Sequence, residues 1–203
     1  MMIELIIFDL GGVVIELGKE PLPNEWIEDR TQFTLKEWFK SDTALLFEKG
    51  EISAEEFAKQ VKQELGLTVS HDEIKSAFAK WPIGMYPMMP SILQSLREKY
   101  KLVVLTNTNE LHYPRLMDEF ELEAYFDQIF ASHLIHLAKP DPKIYQYVLS
   151  KLKIEAEKVL FIDDNIDNIN AAKSVGIFGI HACGEQEVYE GLLEYGIELP
   201  PST

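Results

Sequence analysis

The sequence predicts a three-layer α/β fold: a Rossmann-like core on a parallel sheet, with a small helical insert after the first strand. Three observations carry this. Apolar strand-like runs alternate with helical runs along most of the chain. Those runs are continuous rather than alternating, as expected of strands covered on both faces. One stretch, from about Glu16 to Tyr86, carries helix signals and no good strand.

Ile3 to Phe8 reads as the first strand, ended by Asp9 and the Gly11-Gly12 pair. Lys101 to Thr106, Gln128 to Ala131, Val159 to Asp163 and Phe178 to His181 read as the others. Between them, Ser91 and Gln94 have capping-box spacing for one helix. Asp141-Pro142 opens a second, with Asp as N-cap and Pro in the first turn. A third follows Asp164 and ends at Gly176, with Lys173 in its last turn.

The insert shows three further capping boxes, Thr34/Glu37, Ser53/Glu56 and Ser70/Glu73. Phe57, Val61 and Leu65, then Ile74, Phe78 and Trp81, follow helical spacing. Pro21-Leu22-Pro23 on one side, with Pro82 and the Gly84 to Pro90 stretch on the other, mark its edges as hinges or stiff turns. The expected division is a core of 1–15 and 87–203 with an insert of 16–86.

Composition excludes several classes of function. The 203 residues carry 19 Lys and Arg against 34 Asp and Glu, a net charge of −15. Such a chain has no general electrostatic attraction to nucleic acid or to an anionic membrane. No apolar run reaches the length of a membrane span. The single cysteine, Cys183, excludes an internal disulfide and suits a reducing cytoplasm. An anionic substrate would also be repelled overall, so an anion site needs local positive charge.

Polar residues end the predicted strands: Asp9 the first, Thr106-Asn107 the second, Asp163-Asp164 the fourth. Lys139 precedes the helix after the third. In an open α/β sheet these strand ends are where ligands bind. A carboxylate ending an apolar run is costly unless it is paired or holds a cation, although one alone is commonly a cap. Three such carboxylates supply the hard oxygens that Mg²⁺ prefers. Thr106 offers a hydroxyl to an anion, Lys139 a point charge suited to phosphate, and Gly11 and Gly12 a close backbone approach.

These segments resemble the motifs of the haloacid dehalogenase superfamily, in the family's order. Ile6 to Val14, containing Asp9-Leu10-Gly11-Gly12, is similar to motif I, and Val104-Leu105-Thr106-Asn107 to motif II. Lys139-Pro140-Asp141-Pro142 resembles motif III, and Phe161 to Asn165 motif IV. The insert resembles the cap that many members carry, and the Asp-Leu-Gly reading resembles bacterial sugar-phosphate phosphatases. The resemblance implies a Mg²⁺-dependent phosphatase of a small phosphorylated metabolite. It implies Asp9 as nucleophile, with Lys139 neutralising nucleophile and phosphate. Leu10, Gly11, Thr106, Asn107 and Lys139 would bind substrate. Asp9, Gly11 through its carbonyl, and Asp163 and Asp164 would serve the metal, Asp164 being favoured for direct contact.

Gly11 departs from the pattern, because many family phosphatases carry a general acid there. Such help is typically worth about 10²–10⁴-fold. An anomeric sugar oxygen leaves with less help, which points to sugar 1-phosphates. Two other classes stay open: a non-catalytic binding or regulatory protein, for which Gly11 speaks, and a haloacid dehalogenase, against which the retained Asp pair speaks. His112 is a secondary candidate for substrate contact. His133, His136, Glu16 and Glu48 read as loop or solvated residues, Trp26, Trp38 and Trp81 as cap core, and Met85, Met88 and Met89 as hinge packing.

Overall fold

The computed structural model describes residues 2–27 and 41–200. In chain order its first elements are β1 (Leu5–Phe8), β2 (Ile15–Leu17), α1 (Asp42–Glu48), α2 (Ala54–Glu64) and α3 (His71–Ala79). Next come β3 (Pro82–Met85), α4 (Met89–Arg97), β4 (Lys101–Thr106), β5 (Gln128–Ala131) and α5 (Ser132–Ile135). The chain closes with α6 (Pro142–Leu152), β6 (Val159–Asp163), α7 (Ile166–Ser174), β7 (Phe178–His181) and α8 (Gly184–Glu194).

Five strands form a parallel sheet in the order β5-β4-β1-β6-β7. Successive residues of a strand point to opposite faces. Ile6, Phe8, Leu102, Val104, Leu160 and Ile162 therefore pack in one apolar layer with residues of α4 and α8. Leu5, Ile7, Val103, Leu105, Val159 and Phe161 pack in the other with residues of α6 and α7. Both faces are buried, which explains the unbroken apolar runs. Full burial of each such side chain stabilises by roughly 1.5–3 kcal/mol.

The helix boundaries follow their local chemistry. The Asp141 carboxylate accepts from the Lys143 N–H at 2.9 Å, with Pro142 in the first turn of α6. Ser53 caps α2 through the Glu56 N–H. Ser70 and Glu73 form a complete capping box on α3. The turn after α7 is closed by Gly176 at φ +93°. Ser91 does not cap α4, because the helix begins earlier, at Met89, with Pro90 in its first turn. Proline has no N–H to satisfy and its φ is already helical, so it sets the start.

Helices α1, α2 and α3 share their own apolar cluster, including Leu22, Phe47, Phe57, Val61, Ile74 and Phe78. The Phe47 and Phe57 rings stack with centroids 4.1 Å apart. The Thr34/Glu37 pair and Trp38 lie outside the described residues. One expectation is corrected: the stretch from Glu16 to Tyr86 does contain strand. β2 and β3 pair antiparallel, Ile15 opposite Met85 and Glu16 opposite Gly84. They join the two ends of the insert into a ribbon. Four residues interrupted by Pro and Gly carry no local strand signal, and the pairing partner is far away in sequence. Among the described residues no helix is long and apolar enough to cross a membrane.

Candidate active site

Phe8 pairs with Val104 on one side and Ile162 on the other. The register thus brings the carboxyl ends of β1, β4 and β6 together, with Asp9 level with Asp163 and Thr106 one residue further along its strand. The Asp9 N–H continues the ladder, donating to the Ile162 carbonyl at 2.9 Å. The Asp9 Oδ1 accepts from the Leu10 N–H at 2.7 Å and lies 2.9 Å from Lys139 Nζ. The chain then turns sharply, the Leu10 carbonyl accepting from the N–H groups of Val13, Val14 and Ile15.

Lys139 is 3% exposed and bridges two carboxylates, with Nζ also 2.6 Å from Asp163 Oδ2. Asp163 is fully buried and saturated. Its Oδ1 accepts from the Asn165 N–H at 2.8 Å and from Asn168 Nδ2 at 2.9 Å. Its Oδ2 accepts from Lys139 and again from Asn168 Nδ2 at 3.0 Å. Oxygens of Asp9, Asp163 and Asp164 lie within 4.8 Å of one another, a spacing one cation could span.

The electrostatics follow from three carboxylates facing one lysine. Burial pushes the Asp9 carboxyl up to about 7; Lys139 pulls it down, while Asp163 and Asp164 add to the rise. Burial and Asp163 likewise raise Asp164. Burial opposes the charge on Lys139, but Asp163 and Asp9 outweigh it and hold the ammonium above its ordinary range. A site this rich in negative charge is the kind that a divalent cation relieves.

Asn107 makes contacts that the sequence did not indicate. Its Oδ1 accepts from the Lys139 N–H at 2.9 Å, and its Nδ2 donates to the Lys139 carbonyl at 3.0 Å. The side chain therefore clamps the backbone of Lys139. Its remaining Nδ2 bond, 3.0 Å, goes to Glu48 Oε2 at the end of α1. Glu48 is thus not a solvated surface acid. Burial pushes it up to about 7 against the opposing pull of Lys139 and Asn107. The sequence did hold one signal for it. A carboxylate in the last turn of a helix opposes the helix dipole, and such local misfits gather at functional sites.

Asp9, Leu10, Gly11, Thr106, Asn107, Lys139 and Asp164 line one cavity of about 540 Å³, and Asp163 lies beneath it. Glu48 lines it from the helical insert. So do Leu17, Phe47, Phe57, Phe78 and Trp81, making much of the far wall apolar. No side chain fills the place of residue 11, and Leu17 occupies that space. Its Cδ1 would stand 3.1 Å from a Cβ there.

The two histidines near motif II and motif III are clasps. His112 Nε2 lies 2.8 Å from the Phe78 carbonyl and Nδ1 3.2 Å from Asn109 Nδ2, so both ring nitrogens are engaged. Burial pushes its pKa down to about 4. His136 Nδ1 lies 2.8 Å from the Lys49 carbonyl. Glu16 is exposed, as expected. Trp81 packs against the insert core as well as lining the cavity. Met89 is buried in the sheet layer, with Met85 and Met88 packed against it.

Gly12 is required twice. It sits at φ +75°, and an added Cβ would lie 2.7 Å from Asp164 Oδ2. Gly12→Ala is expected to displace that carboxylate. It should lower thermal stability by roughly 1–3 kcal/mol and weaken divalent-cation binding. Calorimetric titration of Mg²⁺ into wild type and variant checks this. Equal affinities would show that Asp164 can move aside freely.

Comparison with known proteins agrees with this architecture. A sesquiterpene phosphatase of Aspergillus oryzae is 31% identical, over 86% of this chain and 87% of its own length. A D-ribitol-5-phosphate phosphatase of Bacteroides thetaiotaomicron is 26% identical, over 86% of this chain and 89% of its own. A HAD family enzyme from the same bacterium, solved with magnesium and inorganic phosphate, superposes with a TM-score of 0.77. It is 29% identical and covers 90% of this chain and 96% of its own. A model of haloacid dehalogenase-like hydrolases matches residues 3–176. The chain belongs to the haloacid dehalogenase-like hydrolase family.

Proposed function

We propose that this protein is a Mg²⁺-dependent phosphatase of a small phosphorylated metabolite, working through an aspartyl-phosphate. The observation that carries the reading is the buried Asp9–Lys139–Asp163 chain at the floor of a cavity, with Asp164 beside it. The segment 16–86 acts as the cap of this site, and residues 1–15 and 87–203 as its core. Phosphatases among the similar proteins support it.

Asp9 is the nucleophile. Leu10 and Lys139 hold its Oδ1, which leaves Oδ2 to attack phosphorus. Lys139 offsets negative charge on both the nucleophile and the incoming phosphate. Thr106, with the backbone N–H of Gly11, receives the phosphoryl oxygens, while Leu10 holds the nucleophile through its N–H, and Asn107 holds Lys139 in place. Bound Mg²⁺ would neutralise phosphate charge and orient it for in-line displacement. Asp9, Asp164 and the Gly11 carbonyl would hold it directly. Asp163, whose lone pairs are already committed, would support them as a positioning residue.

With no acid at residue 11, sugar 1-phosphates are the preferred substrate class unless another group in the cavity supplies the proton. The apolar far wall favours a second reading, a phosphate ester of an alcohol with an apolar face. Phosphate release from a panel of sugar 1-phosphates, sugar 6-phosphates and prenyl phosphates decides between them. Activity that persists in EDTA would refute the metal-dependent mechanism. Asp164→Asn is expected to weaken Mg²⁺ binding more than Asp163→Asn does, and the latter on the order of 10–100-fold. The reverse ranking, read by calorimetric titration without substrate, would overturn the ligand assignment.

A further inference from the structure

We infer that Glu48, delivered from the insert, is the general acid and base of this site, in place of a side chain at residue 11. The inference rests on the phosphatase reading with Asp9 as nucleophile.

Geometry carries it. Glu48 lines the same cavity as Asp9, Lys139 and Asp164 and is tied to Asn107, which grips the Lys139 backbone. Only its Oε2 is engaged, accepting from Asn107 Nδ2. Oε1 has no hydrogen-bond partner among the described residues, so a neutral carboxyl there can present its O–H to a ligand in the cavity.

The backbone under Glu48 is also fixed to the core rather than left to the insert. Its carbonyl accepts from Ser132 Oγ at 2.5 Å. The Lys49 carbonyl meets His136 Nδ1 at 2.8 Å. The Ala54 N–H donates to Glu110. Gly50, at φ +65°, passes so close to the His133 carbonyl that no side chain fits. This turn holds a carboxyl at a set place relative to Asn107 and Lys139. Burial, by favouring the protonated form near neutrality, supports the role without establishing it.

The steps balance. In the first, Asp9 Oδ2 bonds to phosphorus, the bond from phosphorus to the leaving oxygen breaks, and Glu48 gives that oxygen its proton. In the second, water bonds to phosphorus, the bond to Asp9 breaks, and the water's proton passes to the Glu48 carboxylate. Alcohol and inorganic phosphate leave, and both side chains return to their starting states. With such an acid present, a primary alcohol is as acceptable a leaving group as an anomeric oxygen.

Glu48→Gln keeps the shape and the acceptor for Asn107 and removes the proton. For sugar 6-phosphates kcat is expected to fall about 10²–10³-fold. With p-nitrophenyl phosphate, whose phenolate leaves unaided, the first turnover should survive within about threefold, on the same principle. A burst of one nitrophenolate per enzyme should follow, with slow steady-state turnover and accumulated phosphoprotein. Equal slowing on both substrates with no burst, or no slowing at all, would overturn the assignment.

Wild type gives a test free of folding effects. Its kcat across alkyl and aryl phosphates should depend weakly on leaving-group basicity, and a steep dependence would also overturn it. Failure of the underlying reading looks different: Asp9→Asn would then retain activity in the same assays, and the acid role would fall with it.

Discussion

Asp9→Asn is expected to lower kcat by about 10⁴-fold or more while stabilising the metal-free fold. The two effects have one origin. The amide cannot attack phosphorus, so no covalent intermediate forms. The same change removes one of three negative charges gathered around Lys139. On the nucleophile reading, function keeps a carboxylate where folding alone would disfavour it. Burial holds the Asp9 carboxyl at about 7 in the folded protein, against 3.8 ordinarily. Between those values the folded state binds more protons than the unfolded one. Stability therefore falls as pH rises from about 4 to 7, by an amount on the order of 2–4 kcal/mol for this group. Glu48, raised in the same way, adds a loss of the same sign. Asp9→Asn should remove the Asp9 share. Urea unfolding in EDTA at pH 5 and pH 8 checks this, the variant gaining on wild type mainly at pH 8. Equal stabilities at both values would show that Asp9 is not strained by its surroundings.

Much of this site was legible in the sequence because strand ends are local features. An apolar run ended by Asp9, Thr106 or Asp163 states both the strand and the polar group at its tip. The parallel order then follows from crossover helices, and it brings those tips together. Residue pairs formed across long separations were not legible. The ribbon of Ile15–Leu17 with Pro82–Met85 is one. Glu48 is the more consequential case. Its place in the last turn of α1 was a weak signal, and the docking of residues 48–54 against Ser132, His136 and Glu110 is what fixes it at the cavity. Asn107 shows a third kind of gap. Its place after the second predicted strand put it among the candidate site residues, but its two-way pairing with the Lys139 backbone, which makes the side chain a clamp, depends on tertiary structure. His112 has one local partner, Asn109, but its other partner, the Phe78 carbonyl, is fixed only by tertiary packing.

Lys139→Met tests the other half of the charge balance. Methionine nearly matches the lysine stem in length, so packing against Phe161, 5.4 Å from Nζ to the ring centre, is largely kept. What is lost is the one cation between Asp9 and Asp163. Asp163 is 0% exposed, so its charge is not solvated where it stands. Breaking a buried pair by removing one partner typically costs about 3–5 kcal/mol, because the remaining charge is uncompensated. For a chain of this length each kcal/mol lowers the melting temperature by roughly 2–4 °C, so a fall of about 10 °C is expected in EDTA. The loss should be smaller at pH 5, where Asp9 is protonated and fewer charges need the lysine. Activity should fall at least about 10²-fold, as for the loss of one preorganised charge at a transition state. A double variant separates charge from packing. If like-charge repulsion drives the destabilisation, Lys139→Met combined with Asp9→Asn should be more stable than Lys139→Met alone. If the double variant is instead the less stable of the two, the lysine stem and not its charge holds this floor together.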